Sequence, residues 1–237
     1  MSFLILVRHG QSVWNLEKRF TGWVDIDLTE KGKQEAEKGG LLIKNRKINT
    51  DLYYSSLQLR ANNTLKIIKN VLDDKKQFTK AWQFNERHYG ALTGLNKIEM
   101  TKKIGADKVL EFRRSWNAKP ESLDKKSPYH PLNIDSYKEV PKNLIPDTES
   151  LEDTYKRVVK YYIEEIQQKI TKNNILISAH GNSIRALCKY LFDLDKHQIS
   201  NLEIPTGNPL VIEFDKKMKI IDCEYLDKER AKDLLVF

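Results

Sequence analysis

The stretch from Phe3 to Gly22, FLILVRHGQSVWNLEKRFTG, decides the fold of this chain and carries its first reactive side chains. It begins with an apolar run that predicts a buried strand over residues 3–7. The run stops at Arg8 and His9, which a glycine follows. A strand that ends on a cation, an imidazole and a glycine is typical of α/β proteins, which present reactive groups at the carboxyl edge of a sheet. Because a strand can also end in this way without any function, the stretch alone leaves both interpretations open.

The same arrangement recurs later in the chain. The segment NILISA, residues 174–179, predicts a second apolar strand, and it runs directly into His180 and Gly181. The chain has five histidines, and two of them follow a predicted strand and precede a glycine. Packing alone does not explain this repetition, so we expect two histidines at one sheet edge.

Strands and helices alternate along most of the chain. Thr29 is a predicted N-cap for a helix that runs to about Lys44. A short strand at 51–54 leads into a helix whose first turn contains Arg60, and a third strand is predicted at 78–84. Arg60 taken alone is better interpreted as a solvated helix residue. The alternation predicts an α/β fold, a three-layer sandwich with a mostly parallel central sheet and helices on both faces.

The organisation changes between about residues 115 and 150. This segment holds five of the seven prolines and shows no sustained periodicity, which is typical of a lid or a binding loop. A helix then begins at Thr148 or Ser150, and two strands at 210–214 and 219–225 form a terminal hairpin. We therefore expect a single domain over residues 1–237, with an irregular insert.

Composition excludes several classes of protein. The net charge is +8, but the lysines alternate with glutamates, as in EKGKQEAEK, so we expect no nucleic-acid partner. No apolar run approaches the roughly 20 residues that span a bilayer, and no signal peptide is recognised, so we expect a cytoplasmic protein and no membrane partner. Cys188 and Cys223 have no metal-ligand spacing and are expected to be reduced.

The familiar nucleotide-binding and metal-binding motifs are absent, and two histidines, several arginines and Glu86 remain as candidates. A histidine can attack phosphorus and form a phosphohistidine. The negative charge of a phosphoryl group in transfer can be met by arginines instead of a metal ion. Glu86, within the polar cluster at 85–90, suits the transfer of a proton, although an Arg–Glu surface pair in a turn is the alternative interpretation.

The chain resembles the cofactor-dependent phosphoglycerate mutases of the histidine phosphatase superfamily. The segments that carry this resemblance lie in the family's order and cover about residues 3–225: LVRHGQSVWN, RFTGW, NERHYGALTGLNK, PDTESL, AHGNSIRALCKYL and IPTGNPLVIEF. The resemblance implies a phosphoglycerate mutase-like fold. It also implies interconversion of 3-phosphoglycerate and 2-phosphoglycerate, primed by 2,3-bisphosphoglycerate as cofactor and without a metal.

The resemblance further implies roles for individual residues. His9 would be the phosphorylated nucleophile and Glu86 the proton donor and acceptor, with His180, Arg8 and Arg60 around the transferred phosphoryl group. The residues that would bind the rest of the substrate are Gln11, Ser12, Asn15, Thr21, Gly22, Arg87, Tyr89, Lys97, Arg113, Arg114, Gly181 and Asn182. The three other histidines have minor roles in this interpretation: His88 supports the site, and His130 and His197 are exposed.

The sequence leaves one alternative function open. A phosphatase of the same superfamily, acting on small phosphorylated metabolites, would use the same fold. The cations at 97, 113 and 114 favour the mutase, whose ligand carries roughly −4 to −5 charges.

The family's oligomers imply a homo-oligomer. Residues 227–237 form a short tail that we expect to act as a mobile lid; a frayed terminus is the alternative, and the insert at 115–150 would then close the site.

Overall fold

The architecture is that of a mixed six-stranded sheet between two layers of helices. A computed structural model describes residues 1–231. The strands are β1 Ser2–Arg8, β2 Leu52–Ser55, β3 Thr79–Lys80, β4 Ile175–Ala179, β5 Leu210–Phe214 and β6 Ile220–Tyr225. Their order in the sheet is β3-β2-β4-β1-β5-β6. The first four in this order are parallel, and β5 is antiparallel to both of its neighbours, so only β5 runs against the common direction.

Alternate residues of the central strands bury opposite faces of the sheet. Leu4 and Leu6 of β1 belong to one buried cluster, whereas Ile5 and Val7 belong to another. The helices are α1 Val13–Leu16, α2 Glu30–Arg46, α3 Leu59–Val71, α4 Lys97–Ile104, α5 Ala106–Arg114, α6 Leu151–Tyr161, α7 Gln167–Ile170, α8 Gly181–Leu191 and α9 Lys196–Asn201. A π-helical turn, Tyr162–Ile166, joins α6 to α7. α6 and α8 pack on the first face and α2 and α3 on the second, which confirms the predicted three layers.

Helix boundaries follow the capping residues. Thr29 is the N-cap of α2, as predicted, and its side chain accepts a hydrogen bond from the backbone of Gly32. Ser150, one of the two predicted candidates, caps α6 in a capping box with Asp153. The glycine that follows His9 is required by close packing, since a Cβ at Gly10 would lie 2.0 Å from the carbonyl oxygen of Gly32. The contact places the loop after β1 directly on α2.

The third strand is shorter than predicted, and two helices, α1 and α9, are additional. β3 has only two residues, because its partner β2 ends at Ser55 and offers no further ladder. The chain continues as a 3₁₀ turn at Trp82–Phe84 instead. Helix α9 was not expected from the sequence. The segment 115–150 has no α-helix or strand and contains three short 3₁₀ turns.

The predicted exposure of His130 is wrong. Its side chain is buried, and its Nε2 lies 3.0 Å from Asp147 Oδ1. Its ring also lies 6.2 Å from that of His88, so the insert packs against the cluster at 85–90. His197 is exposed, as predicted. The insert is therefore folded onto the body of the protein rather than extended into solvent.

The start of the predicted tail is held by neighbouring segments of the chain. Lys228 pairs with Glu224, and Arg230 donates to the carbonyl oxygen of Thr206. The lid hypothesis depends mainly on residues 232–237, which are outside the described part of the chain. No helix within residues 1–231 is both long and apolar enough to cross a membrane.

Candidate active site

Two histidines meet where β1 and β4 end. The two strands are parallel neighbours, and the His9 backbone N–H donates to the carbonyl oxygen of Ala179 at 3.0 Å. The His9 and His180 ring centroids are 5.0 Å apart, and both side chains are buried. β2 ends beside β4, and Ser56 just beyond it places its Oγ 2.8 Å from His180 Nε2. The sheet edge thus assembles residues that are 171 positions apart in the sequence.

Hydrogen bonds hold the His9 ring in one tautomer. Its Nδ1–H donates to the carbonyl oxygen of Gly10 at 2.7 Å. The Arg60 Nε–H donates to the other ring nitrogen, Nε2, at 3.3 Å, which requires a lone pair on Nε2. Burial, followed by the charges of Arg60 and Arg8, lowers the pKa of His9 well below its ordinary value of 6.5. His9 is therefore a neutral imidazole whose nucleophilic nitrogen lies beside two arginines.

Backbone carbonyl groups hold several cations of the site. Arg60 is buried and donates from Nη1 to the carbonyl oxygen of Val24 and from Nη2 to that of Gly22, both at 2.9 Å. Arg8 donates from Nη1 to Ile204 at 2.8 Å. Lys97 donates to the carbonyl oxygen of Arg19 at 2.6 Å. A carbonyl oxygen orients a cation without cancelling its charge, so these three groups remain available to an anion.

Glu86 lines the same cavity as His9, and backbone groups orient its carboxylate. Its Oε1 accepts from the backbone N–H of Arg87 at 2.8 Å and from that of Asn182 at 3.2 Å. The Asn182 side chain in turn donates to the Tyr89 hydroxyl at 3.2 Å. This arrangement fixes a carboxylate at the cavity, where it can accept a proton from a ligand or return one.

One cavity joins these groups, and cations dominate its wall. Six cationic side chains face two carboxylates around it. Its lining consists of Arg8, His9, Asn15, Thr21, Gly22, Arg60, Glu86, Tyr89, Lys97, Arg113, Arg114, Gly181, Asn182, Arg185, Glu203 and Ile204. Within residues 1–231, no group of three or more His, Cys, Asp or Glu side chains is placed to hold a metal ion.

Four residues that the sequence predicted for the site do not line the cavity. His180 lies beside His9, with its ring tilted by 58° to that of His9. The Gln11 side chain accepts from the Thr29 hydroxyl at 3.0 Å, and Ser12 caps α1. Arg87 is buried and donates to the carbonyl oxygens of Phe112 and Arg113 at the end of α5. Gln11, Ser12 and Arg87 therefore hold other parts of the site in position.

Sequence reasoning missed four residues at the site. Arg185 is buried, lines the cavity and donates to Asn182 Oδ1 at 2.9 Å. The spacing of three between these two positions in a predicted helix was a usable signal. Glu203 and Ile204 follow the unexpected helix α9, and no local pattern identifies them. Ser56 lies between a predicted strand and a predicted helix and has no local signal, yet it is the hydrogen-bond partner of His180.

We expect acid to destabilise the protein steeply, because three buried histidines are neutral in the folded state. Burial is the largest cause that lowers the pKa of His9 and His180 well below 6.5, and it lowers the pKa of His88 to about 3. On unfolding, each ring takes up a proton below about pH 6.5. The free energy of unfolding is therefore highest above about pH 6.5. It falls below that pH, by up to about 4 kcal/mol per pH unit if all three rings titrate. Urea unfolding between about pH 7 and about pH 5.5 measures this slope.

His197→Gln is the matched control, since it replaces an exposed histidine. The variant should keep the slope of the parent protein. A free energy of unfolding that stays level over the same pH range would contradict neutral, buried rings.

Comparison with protein families gives a match over most of the chain. The profile of the histidine phosphatase superfamily (branch 1) matches residues 4–140 and 115–224. A 2,3-bisphosphoglycerate-dependent phosphoglycerate mutase from Pelagibacter ubique (strain HTCC1062) is 66% identical over 238 residues, which is 100% of both chains. A protein with the same name from Borreliella afzelii (strain PKo) is 48% identical over 95% of this chain and 92% of its own length.

Solved structures with similar folds are more distant in sequence. A mycobacterial glucosyl-3-phosphoglycerate phosphatase superposes with a TM-score of 0.68 at 20% identity, over 95% of this chain and 97% of its own. A phosphoserine phosphatase from Entamoeba histolytica gives a TM-score of 0.65 at 21% identity, over 93% of this chain and 94% of its own. At this level of identity, the superpositions support the fold alone.

Proposed function

The chain belongs to the histidine phosphatase superfamily, and we propose on that basis that it interconverts 3-phosphoglycerate and 2-phosphoglycerate. The enzyme is proposed to be an isomerase that depends on 2,3-bisphosphoglycerate. Two relatives, 66% and 48% identical to this chain, carry that dependence in their names. The conversion is a step of glycolysis and gluconeogenesis.

The observation that carries this proposal is the excess of cations around a neutral histidine. The cavity presents six cationic side chains against two carboxylates, beside the unprotonated Nε2 of His9. A bisphosphorylated carboxylic acid carries roughly −4 to −5 charges at neutral pH, and a monophosphate ester carries only about −2. The bisphosphorylated ligand therefore fits the charge of the cavity better than a simple phosphatase substrate.

In the proposed reaction, His9 is the nucleophile and alternates between a free and a phosphorylated form. 2,3-Bisphosphoglycerate primes the enzyme: the P–O bond to one of its phosphoryl groups breaks as the bond from phosphorus to His9 Nε2 forms. Arg8, Arg60 and His180 surround the phosphoryl group and stabilise the charge on its oxygens during transfer. 3-Phosphoglycerate then takes the phosphoryl group on its 2-hydroxyl, and the new bisphosphate returns its 3-phosphoryl group to His9.

Glu86 is the proposed proton carrier. The hydroxyl that attacks phosphorus must lose a proton, and the oxygen that leaves must gain one, so the same carboxylate serves both directions. The hydrogen bonds to its Oε1 keep it oriented in both states.

The remaining cavity residues are proposed to bind the carboxylate and the second phosphate. Lys97, Arg113 and Arg114 provide charge, and neutral hydrogen-bonding groups surround them: Asn15, Thr21, Gly22, Tyr89, Gly181 and Asn182. Gln11, Ser12 and Arg87 contribute indirectly, through the contacts described above. A homo-oligomer, a cytoplasmic location and a single domain remain predictions from the sequence.

Direct ³¹P NMR of a reaction with 3-phosphoglycerate tests the proposed function. We expect the signal of 2-phosphoglycerate to appear rapidly only after a catalytic amount of 2,3-bisphosphoglycerate is added, because His9 must first be phosphorylated. The method needs no coupling enzyme, so EDTA can remain in the sample. We expect turnover to persist with EDTA, since arginines supply the positive charge that a metal ion would otherwise bring.

The alternative phosphatase gives a different spectrum. Inorganic phosphate would then accumulate as the main product, and 2-phosphoglycerate would not. Turnover that EDTA removes and manganese restores would also contradict the proposed cofactor requirement.

A further inference from the structure

One of the two cavity carboxylates engages an arginine that is proposed to bind the substrate. Glu203 and Arg114 both line the cavity, and Arg114 Nη2 donates to Glu203 Oε1 in an ion pair. Arg114 Nη1 donates to the carbonyl oxygen of Leu202 at 3.3 Å. Both terminal nitrogens of Arg114 are therefore engaged by two neighbouring residues of the segment that follows α9.

This pairing differs from the way in which the other cations are held. Arg8, Arg60 and Lys97 donate to carbonyl oxygens, which leave their charge available. Among the cavity cations in the described part of the chain, Arg114 alone forms an ion pair with a carboxylate. That carboxylate offsets the charge of Arg114.

The pair is also accessible enough to exchange. The Glu203 side chain is 52% exposed and that of Arg114 is 22% exposed, so the pair lies at the mouth of the cavity. Exposed ion pairs contribute little to stability because water and salt screen them. An anionic ligand can therefore take the place of Glu203 without a large structural change.

We propose that Glu203 competes with the ligand for Arg114. A ligand that brings a second anionic group to the mouth of the cavity must displace Glu203 from Arg114. The identity of that ligand as a phosphoglycerate rests on the proposed function. Glu203 acts through Arg114 and is thus a positioning residue. A ligand with a single anionic group, bound beside His9, leaves the pair intact.

The competition has a use in the proposed reaction. The bisphosphate must loosen from the cations in order to exchange its two ends, and a monophosphate product must leave the same cavity. Binding that is equally tight in the ground state and the transition state gives no gain in turnover. A carboxylate that returns to Arg114 weakens ground-state binding at the mouth and assists release.

Glu203→Gln tests the proposal, because the amide keeps the size of the side chain and removes its charge. We expect isothermal titration calorimetry to give a Kd for 3-phosphoglycerate that is about two- to fivefold lower than in the parent protein. The Kd for inorganic phosphate should stay the same. The decrease in the Kd for 3-phosphoglycerate should shrink as the salt concentration is raised. In steady-state kinetics, the KM should fall without a rise in kcat.

Two further variants separate this effect from others. Glu111→Gln removes one negative charge from α5, where Glu111 pairs with Lys108 and lies outside the cavity lining, so its Kd values should match the parent. In an Arg114→Gln background, Glu203→Gln should no longer tighten binding, because the residue it competes for is absent. The proposal would be overturned if Glu203→Gln lowered the Kd for 3-phosphoglycerate equally with and without Arg114, or if Glu111→Gln lowered it as much. An unchanged Kd for 3-phosphoglycerate in Glu203→Gln would also overturn it.

A second ligand separates this proposal from the proposed function. If no variant binds 3-phosphoglycerate, the proposed substrate is wrong. Inorganic pyrophosphate, which has two anionic groups and no carbon skeleton, then tests the competition. A lower Kd for pyrophosphate in Glu203→Gln, but not in Glu111→Gln, supports the competition for Arg114. An equal Kd in all variants contradicts it.

Discussion

His9→Ala should abolish covalent labelling by 2,3-bisphosphoglycerate and lower mutase turnover by at least about 10⁴-fold. In the parent protein, isotopically labelled phosphate should appear on the enzyme in an acid-labile form, as expected for a bond to imidazole nitrogen. The His9 ring is the reason, since its Nε2 carries no proton and faces Arg60. Acid quenching and denaturing chromatography of the labelled protein measure the result.

Two histidine variants control for effects on structure. His197→Ala changes an exposed histidine and should leave labelling and turnover at the parental level. His180→Ala keeps the nucleophile and removes its neighbour, so labelling should become slower but still occur at His9. Label that persists in the His9→Ala protein would assign the nucleophile to another residue.

Glu86→Gln should lower mutase turnover by roughly 10² to 10⁴-fold while leaving substrate binding nearly unchanged. The amide keeps an oxygen that can accept from the backbone N–H groups of Arg87 and Asn182, so the local structure is retained. What is lost is the ability to take a proton from the attacking hydroxyl and to return it to the leaving oxygen. Steady-state turnover and calorimetric titration with 3-phosphoglycerate measure the two properties.

The choice of phosphoryl donor distinguishes proton transfer from a structural role of Glu86. Transfer from 4-nitrophenyl phosphate to His9 releases a stabilised phenolate that needs no proton. The Glu86→Gln protein should therefore form phosphohistidine from this donor at close to the parental rate. An equal loss with both donors would assign Glu86 to binding or structure instead.

The sequence predicted the parts of the site that follow from local pattern. Apolar runs that end on His9 and His180 placed both rings at the carboxyl ends of strands, and the rule for parallel strands then brings them together. Arg60 was placed in the first turn of its helix, but its contact with His9 depends on how α3 packs against the sheet. Resemblance to the family, rather than spacing, connected Arg60 and Glu86 with the histidines.

The parts that the sequence did not predict depend on contacts between distant segments. His130 lies in a segment without periodicity, so its burial against His88 has no local signal. Strand β3 is short because β2 ends, which is a property of the partner strand. Glu203 belongs to an irregular segment that contacts Arg114 and, through Ile204, Arg8, and neither contact has a local signal in the sequence.

The carbonyl groups that hold Arg60, Arg8 and Lys97 also determine how the site responds to a reacting anion. In water, solvent dipoles must turn toward new charge, and this reorganisation contributes to the activation barrier. Here the peptide dipoles around Gly22 and Val24 already hold the Arg60 guanidinium in place before any ligand arrives. The polar environment of the transition state is thus built into the main chain. A change in the path of residues 19–24 would raise the barrier without altering any reacting atom.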